Sequence, residues 1–151
     1  MKNTDRWAYT ERDKPGIMKT EIANDSQLLK DVSKKFINFL REKGIDEDII
    51  FDIHVGFVEA LRNAMIHGNK NDPDKVVRIE TEVTREMIII TVEDEGDGFD
   101  PKSLPDPTLD ENLLKEGGRG VYLINHLMDE VEYENGGRKV VMKKRLSAEN
   151  L

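Results

Sequence analysis

Three stretches of this chain, far apart in sequence, hold residue types that can act on a phosphate ester. The first is Glu59-Ala60-Leu61-Arg62-Asn63-Ala64-Met65-Ile66-His67-Gly68-Asn69. Glu59 and Asn63 are four apart, so on a helix they share a face and aim a carboxylate and an amide oxygen at one point. Magnesium takes oxygen ligands and keeps several waters, which suits one amide oxygen together with phosphate oxygens. A carboxylate one turn away can accept the proton of an attacking hydroxyl. Taken alone, the spacing is more often that of a solvated helix face. His67 is by default a helix-end residue bonding the last carbonyls.

The second stretch is Asp94-Glu95-Gly96-Asp97-Gly98-Phe99, directly after the apolar run Ile88 to Val92. Two glycines two apart permit a tight turn and let a ligand ring approach the backbone. Asp94, acceptor-only when ionised, can take a hydrogen bond from an adenine amino group. Acidic Gly-rich loops also make turns and calcium sites, but this run lacks the spacing and terminal glutamate of a full calcium loop. The third stretch, Gly117-Gly118-Arg119-Gly120, leads into Val121-Tyr122-Leu123-Ile124. Glycines opening a helix expose N–H groups to an anion at the positive end of the dipole, and Arg119 adds charge. A flexible hinge before an ordinary helix is the alternative. No Walker loop occurs, since the chain has no Gly-x-x-x-x-Gly-Lys.

The elements that must position these stretches follow from periodicity. Ile17 to Ala23 reads as a short strand. Asn24-Asp25-Ser26 then supplies N-cap residues for a helix with Leu28, Leu29, Val32, Phe36, Phe39 and Leu40 on one face, stopped by Gly44. A second helix starts near Asp46 or Asp48 and runs to His67, with an apolar stripe of Ile49, Ile50, Ile53, Phe57, Leu61 and Met65. Val76 to Thr84 and Met87 to Glu93 predict a hairpin. The Gly- and Pro-broken region from Asp94 to Gly118 is too long for an ordinary connection, and 100–116 is a lid candidate. A helix from about Arg119 to Met128 follows, then a terminal hairpin from Val131 to Tyr133, turning at Asn135-Gly136-Gly137 into Lys139 to Leu146.

The 151 residues fit one domain, with expected boundaries of 1–16 for an N-terminal extension, 17–146 for the domain and 147–151 for a tail. Trp7 and Tyr9 in the extension have no assigned role. A formal net charge of −8 argues against nucleic acid as partner, since that binding draws on clustered Lys and Arg. The absence of cysteine excludes disulfides, thiolate zinc sites and cysteine nucleophiles. No apolar run approaches the roughly 18 to 20 residues that span a bilayer, and the charged start is unlike a signal peptide. A cytoplasmic protein with no membrane partner is expected.

Taken together and in order, the three stretches resemble the N, G1 and G2 boxes of the GHKL (Bergerat-fold) ATPase superfamily, at 59–63, 94–98 and 117–120. The phrases at 59–69 and 117–124, extended by Leu127-Met128-Asp129-Glu130-Val131, are similar to its anti-sigma-factor serine/threonine kinase branch. The resemblance spans about residues 17–146. It implies a two-layer α/β (α+β) sandwich with a mixed, mainly antiparallel sheet, helices on one face, and ATP held between the layers under a lid. It makes Glu59 the general base, Asn63 the magnesium ligand, Asp94 the adenine reader, and Gly96 and Gly98 the ring-contacting turn. Gly118, Arg119 and Gly120 hold phosphates, with Lys115, Gly117 and Val121 in the same nucleotide-binding set. Phosphoryl transfer needs mostly positioning and charge neutralisation, so this kit suffices without a covalent enzyme intermediate.

By the same resemblance the cofactors are ATP and Mg2+, and the partners are a sigma factor and a STAS-domain antagonist, with the kinase a homodimer. One alternative keeps the ATP site but makes the protein a partner switch acting on a non-sigma regulatory protein. Another is the catalytic domain of a histidine kinase. Against that, only about fifty residues precede the first box and His54 lies within the second helix rather than on a separate dimerisation segment.

Overall fold

The computed structural model describes residues 16–98 and 116–146. Its first strand, β1 (Ile17–Ala23), alternates in burial, with Met18, Thr20 and Ile22 turned inward. Helix α1 (Ser26–Glu42) starts at Asp25, whose carboxylate accepts from the Gln27 N–H at 2.7 Å. It ends before Gly44, which takes φ 77°. Helix α2 (Glu47–Arg62) continues as a π-helical turn over Asn63–Gly68. Strands β2 (Val76–Val83) and β3 (Met87–Glu93) form the expected hairpin. Helix α3 (Glu116–Leu127), β4 (Glu130–Glu134), a 3-10 turn at Asn135–Gly137 and β5 (Lys139–Arg145) complete the described chain. None of the described helices is long and apolar enough to cross a membrane.

The sheet order is β1-β2-β3-β5-β4, and every described pairing is antiparallel. The mainly antiparallel α+β sandwich implied by the resemblance is therefore the observed architecture. One face of the sheet carries Val77, Ile79, Ile88, Ile90, Val92, Val140 and Met142, all buried. Against it lie Val32, Phe36 and Leu40 of α1 and Ile53, Phe57 and Leu61 of α2, in one apolar core. Phe36 and Phe57 stack with ring centroids 3.9 Å apart, joining the two helices. The opposite face is polar, and the register writes alternating charge across all five strands: Glu21, Arg78, Glu93, Lys139, Glu134.

Helix α3 is locked at its far end. Lys144 Nζ donates to the Leu127 carbonyl at 2.9 Å, placing a cation at the negative end of the helix dipole. Gly56 sits where α3 crosses α2, and a Cβ there would lie 2.6 Å from the Met128 Cε. The absence of a side chain lets the helices approach.

Four expectations are corrected in detail. Helix α3 begins at Glu116 rather than Arg119, so the glycine run lies inside its opening turns and not before it. The α-helical part of the second helix stops at Arg62, five residues short of His67, and the rest is π-helical. Leu28, placed by periodicity on the buried face of α1, is 36% exposed. The last strand ends at Arg145, with Leu146 buried just beyond it. The extension through Pro15 with Trp7 and Tyr9, the lid candidate from Asp100 to Lys115, and the tail 147–151 lie outside the described residues.

Candidate nucleotide site

Glu59 and Asn63, both half-buried, close the α-helical part of α2 on the side that meets α3. Their position is marked by Gly120. A Cβ built there would stand 3.0 Å from Asn63 Nδ2, 3.1 Å from Glu59 Oε2 and 3.2 Å from Asn63 Oδ1. The carboxylate and the amide therefore converge on the backbone of the first turns of α3. That helix start presents N–H groups with no intrahelical partner. An acidic oxygen and an amide oxygen of the first stretch thus meet the backbone of the third at Gly120, one turn into α3.

The second stretch closes the site from the sheet. Asp94 follows the last residue of β3, and its N–H donates to the Arg138 carbonyl at 2.9 Å, extending the β3–β5 ladder by one step. Its carboxylate is buried, and Oδ1 accepts from the Gly96 N–H at 2.8 Å. Burial pushes the Asp94 carboxyl up from its ordinary value, opposed by the Gly96 hydrogen bond and the nearby Arg138. Gly68, the last residue of the π-helical turn, packs its Cα against this carboxylate. Gly96 in turn packs against the Gly68 carbonyl, and Gly98, at φ 83°, against the Gly136 carbonyl. Any side chain at 68 or 96 would drive the adenine-loop candidate off the end of α2.

Sequence reasoning missed the residues that hold this loop. Asn69, 1% exposed, accepts from the Glu95 N–H at 2.7 Å through Oδ1 and donates from Nδ2 to the Val76 carbonyl at 3.0 Å and to Asn24 Oδ1 at 3.2 Å. Glu95 accepts from the Val76 N–H at 2.9 Å and from Arg78 at 3.1 Å, which holds its carboxyl below the ordinary value. Asn135 donates to Glu93 at 2.9 Å from the opposite side. The available signal was an asparagine directly after a helix-ending glycine, within a stretch already singled out. Neither its burial nor its three partners is visible in one sequence.

The remaining expected residues are placed only in part. Gly117, Gly118, Arg119 and Val121 lie on the helical backbone of α3, and Lys115 lies outside the described residues. His67 is exposed, in the π-helical turn. His54 is half-buried in mid-α2, and burial pushes its pKa down.

Comparison with known proteins shows the family. The family model described as Histidine kinase-like ATPase domain matches residues 22–144. The Serine-protein kinase RsbW of Bacillus subtilis (strain 168) is 37% identical over 117 residues, covering 72% of this chain and 72% of that protein. The Serine-protein kinase RsbW of Staphylococcus aureus (strain JH9) is 37% identical over 116 residues, covering 72% of this chain and 73% of its own length. The family match at 22–144 includes all three stretches and the helices that bring them together, and the chain belongs to the histidine kinase-like ATPase domain family as an ATP-dependent protein kinase.

Proposed function

We propose that this chain transfers the γ-phosphate of ATP to a serine or threonine hydroxyl of a STAS-domain antagonist, and that it also sequesters a sigma factor. The observation that carries the chemistry is the convergence of Glu59 and Asn63 on the start of α3 at Gly120. The serine-protein kinase relatives support a serine hydroxyl as acceptor. The regulatory partners rest on the resemblance of the boxes to the anti-sigma branch.

In this reading Asp94 receives the adenine amino group, while the turn from Gly96 to Gly98 leaves room for the ring. The N–H groups opening α3 face the phosphates. Asn63 offers its amide oxygen to magnesium, which neutralises phosphate charge when bound. Glu59 accepts the proton as the substrate oxygen bonds to phosphorus and the bond to the ADP oxygen breaks. The tight fit of Gly120 over both side chains supports this assignment, since it holds the carboxylate and the amide against the glycine-rich start of α3.

The test is Glu59→Gln. The amide keeps the shape but cannot accept a proton at neutral pH, so ATP affinity stays near wild type while transfer falls on the order of a hundred- to ten-thousandfold. Labelled ATP and a purified STAS-domain partner give the rate, and titration calorimetry gives the affinity. Asn63→Ala weakens magnesium-dependent nucleotide binding itself. Wild-type transfer by Glu59→Gln overturns the base assignment. ATP binding without transfer to any STAS partner replaces the kinase with an ATP-driven partner switch.

A further inference from the structure

The carboxylate that reads the base lies at the start of the long connection after β3, and its aim holds only if something outside the connection fixes the backbone there. Asp94 is tied to β5 through the Arg138 carbonyl, and Asn69 fixes the next residue from the other side. The amide of Asn69 can face only one way. Its oxygen meets the Glu95 N–H at 2.7 Å, and its nitrogen meets two acceptors, the Val76 carbonyl and Asn24 Oδ1. Reversed, it would set donor against donor and acceptor against acceptor. Asn24 is itself anchored, donating to the Asp72 carbonyl and to the Lys75 carbonyl at 3.2 Å.

The π-helical turn brings Asn69 to this point. The Asn69 N–H donates to the Ala64 carbonyl at 2.7 Å, five residues back, and the Asn71 N–H to the Met65 carbonyl at 2.8 Å. The widened turn sets Gly68 against the Asp94 carboxylate and directs the Asn69 amide at the loop's backbone. The helix that carries Glu59 and Asn63 thereby also carries the residue that holds the base-reading loop.

We infer that Asn69 is a positioning residue for nucleobase selection: it holds the Glu95 backbone, and through it the Asp94 carboxylate, at the place that accepts an adenine amino group. This rests on the ATP-site reading above. Guanine presents a carbonyl where adenine presents its amino group, so a fixed carboxylate repels it, and a carboxylate free to swing discriminates less.

The experiment measures ADP and GDP affinities by titration calorimetry, with melting temperatures, for wild type, Asn69→Ala, Asn24→Ala and Val32→Ala. Val32→Ala is a control that destabilises the buried face of α1 without touching the loop. Asn69→Ala is expected to lower the ADP:GDP preference about tenfold, the scale of losing a buried amide's hydrogen bonds. Asn24→Ala removes one acceptor of the Asn69 amide and is expected to lower the preference about threefold, which keeps the inference testable should Asn69→Ala not fold. Val32→Ala is expected to lower the melting temperature and leave the preference unchanged. An unchanged preference in either asparagine variant that folds overturns the inference, as does a fall in Val32→Ala equal to that in the asparagine variants. Wild type that binds neither nucleotide overturns instead the ATP-site reading on which the inference rests.

Discussion

Asp94 is a residue whose burial costs stability when it is ionised. Its carboxylate is buried against Gly68, and desolvation raises its pKa, so the folded protein holds the charged form less readily than the unfolded chain does. The sign follows from linkage. A raised folded pKa contributes stability below the unfolded value and loses it as pH rises through the folded value. Asp94→Asn removes the ionisable group while keeping an oxygen for the Gly96 N–H. The variant without nucleotide is therefore expected to gain thermal stability over wild type at neutral pH. That gain should shrink as pH falls and Asp94 protonates. Its affinity for ADP should drop, because the amide's donor end can face the adenine amino group. Melting curves across pH and calorimetry with ADP check both parts, and a variant less stable than wild type at neutral pH contradicts the account.

At the scale of elements, the spacing of α2 and α3 governs how Glu59 meets the start of α3. Gly56 sets this spacing, yet the atom nearest its absent Cβ is the terminal methyl of Met128, the movable end of a flexible side chain. Gly56→Ala should therefore be accommodated by a rotamer change and gain up to about 1 kcal/mol from helix propensity. Chemical denaturation reads this directly, and a loss instead would show that Met128 cannot yield. Most of the elements were legible because their signals are local. Alternating β-branched and apolar residues marked β1 and β3 at their observed bounds, and Asp25 and Gly44 marked the ends of α1. The start of α3 was misplaced because glycine reads as a helix breaker, and here the glycines occupy helical positions, of which Gly120 is one where a Cβ would crowd Asn63 and Glu59. The π-helical turn was invisible, since the same residues satisfy either helical period and only the Asp94 loop packed on Gly68 decides between them. For the site, the residues proposed to face the ligand were chosen by type and spacing, and the structure brings Glu59 and Asn63 to Gly120. Asn69, Asn24 and Asn135 were not, because their partners come from distant segments.

For the whole molecule, the polar sheet face balances the acidic composition locally. Along the row Glu21, Arg78, Glu93, Lys139, Glu134 each charge has opposite neighbours, with Arg78 3.1 Å from Glu21 and Lys139 3.7 Å from Glu134. Exposed pairs of this kind contribute little each, so their value lies in fixing register more than in strength. A one-residue slip of any strand would turn its charges into the core and its apolar residues to water.

The double anchoring of the Asp94 loop has a consequence for cooperativity. One anchor, Asn69 with Asn24 and Val76, lies before the loop in sequence, and the other, from Asn135 to Arg138, lies in the turn between the last two strands. The supports span Asn24 to Arg138, nearly the whole described chain, so in the proposed reading base recognition requires both ends of the fold to be in place. Nucleotide should then act as a reporter of global folding rather than of a local opening. At a hundredfold excess over its dissociation constant, ADP is expected to add about 2.7 kcal/mol to every opening that breaks the loop. Amide exchange should slow together at β1 and at β5, although neither strand supplies a residue that the proposed site brings to the nucleotide. Protection confined to residues 59–69 and 94–98 would mean that the two halves of the chain open independently.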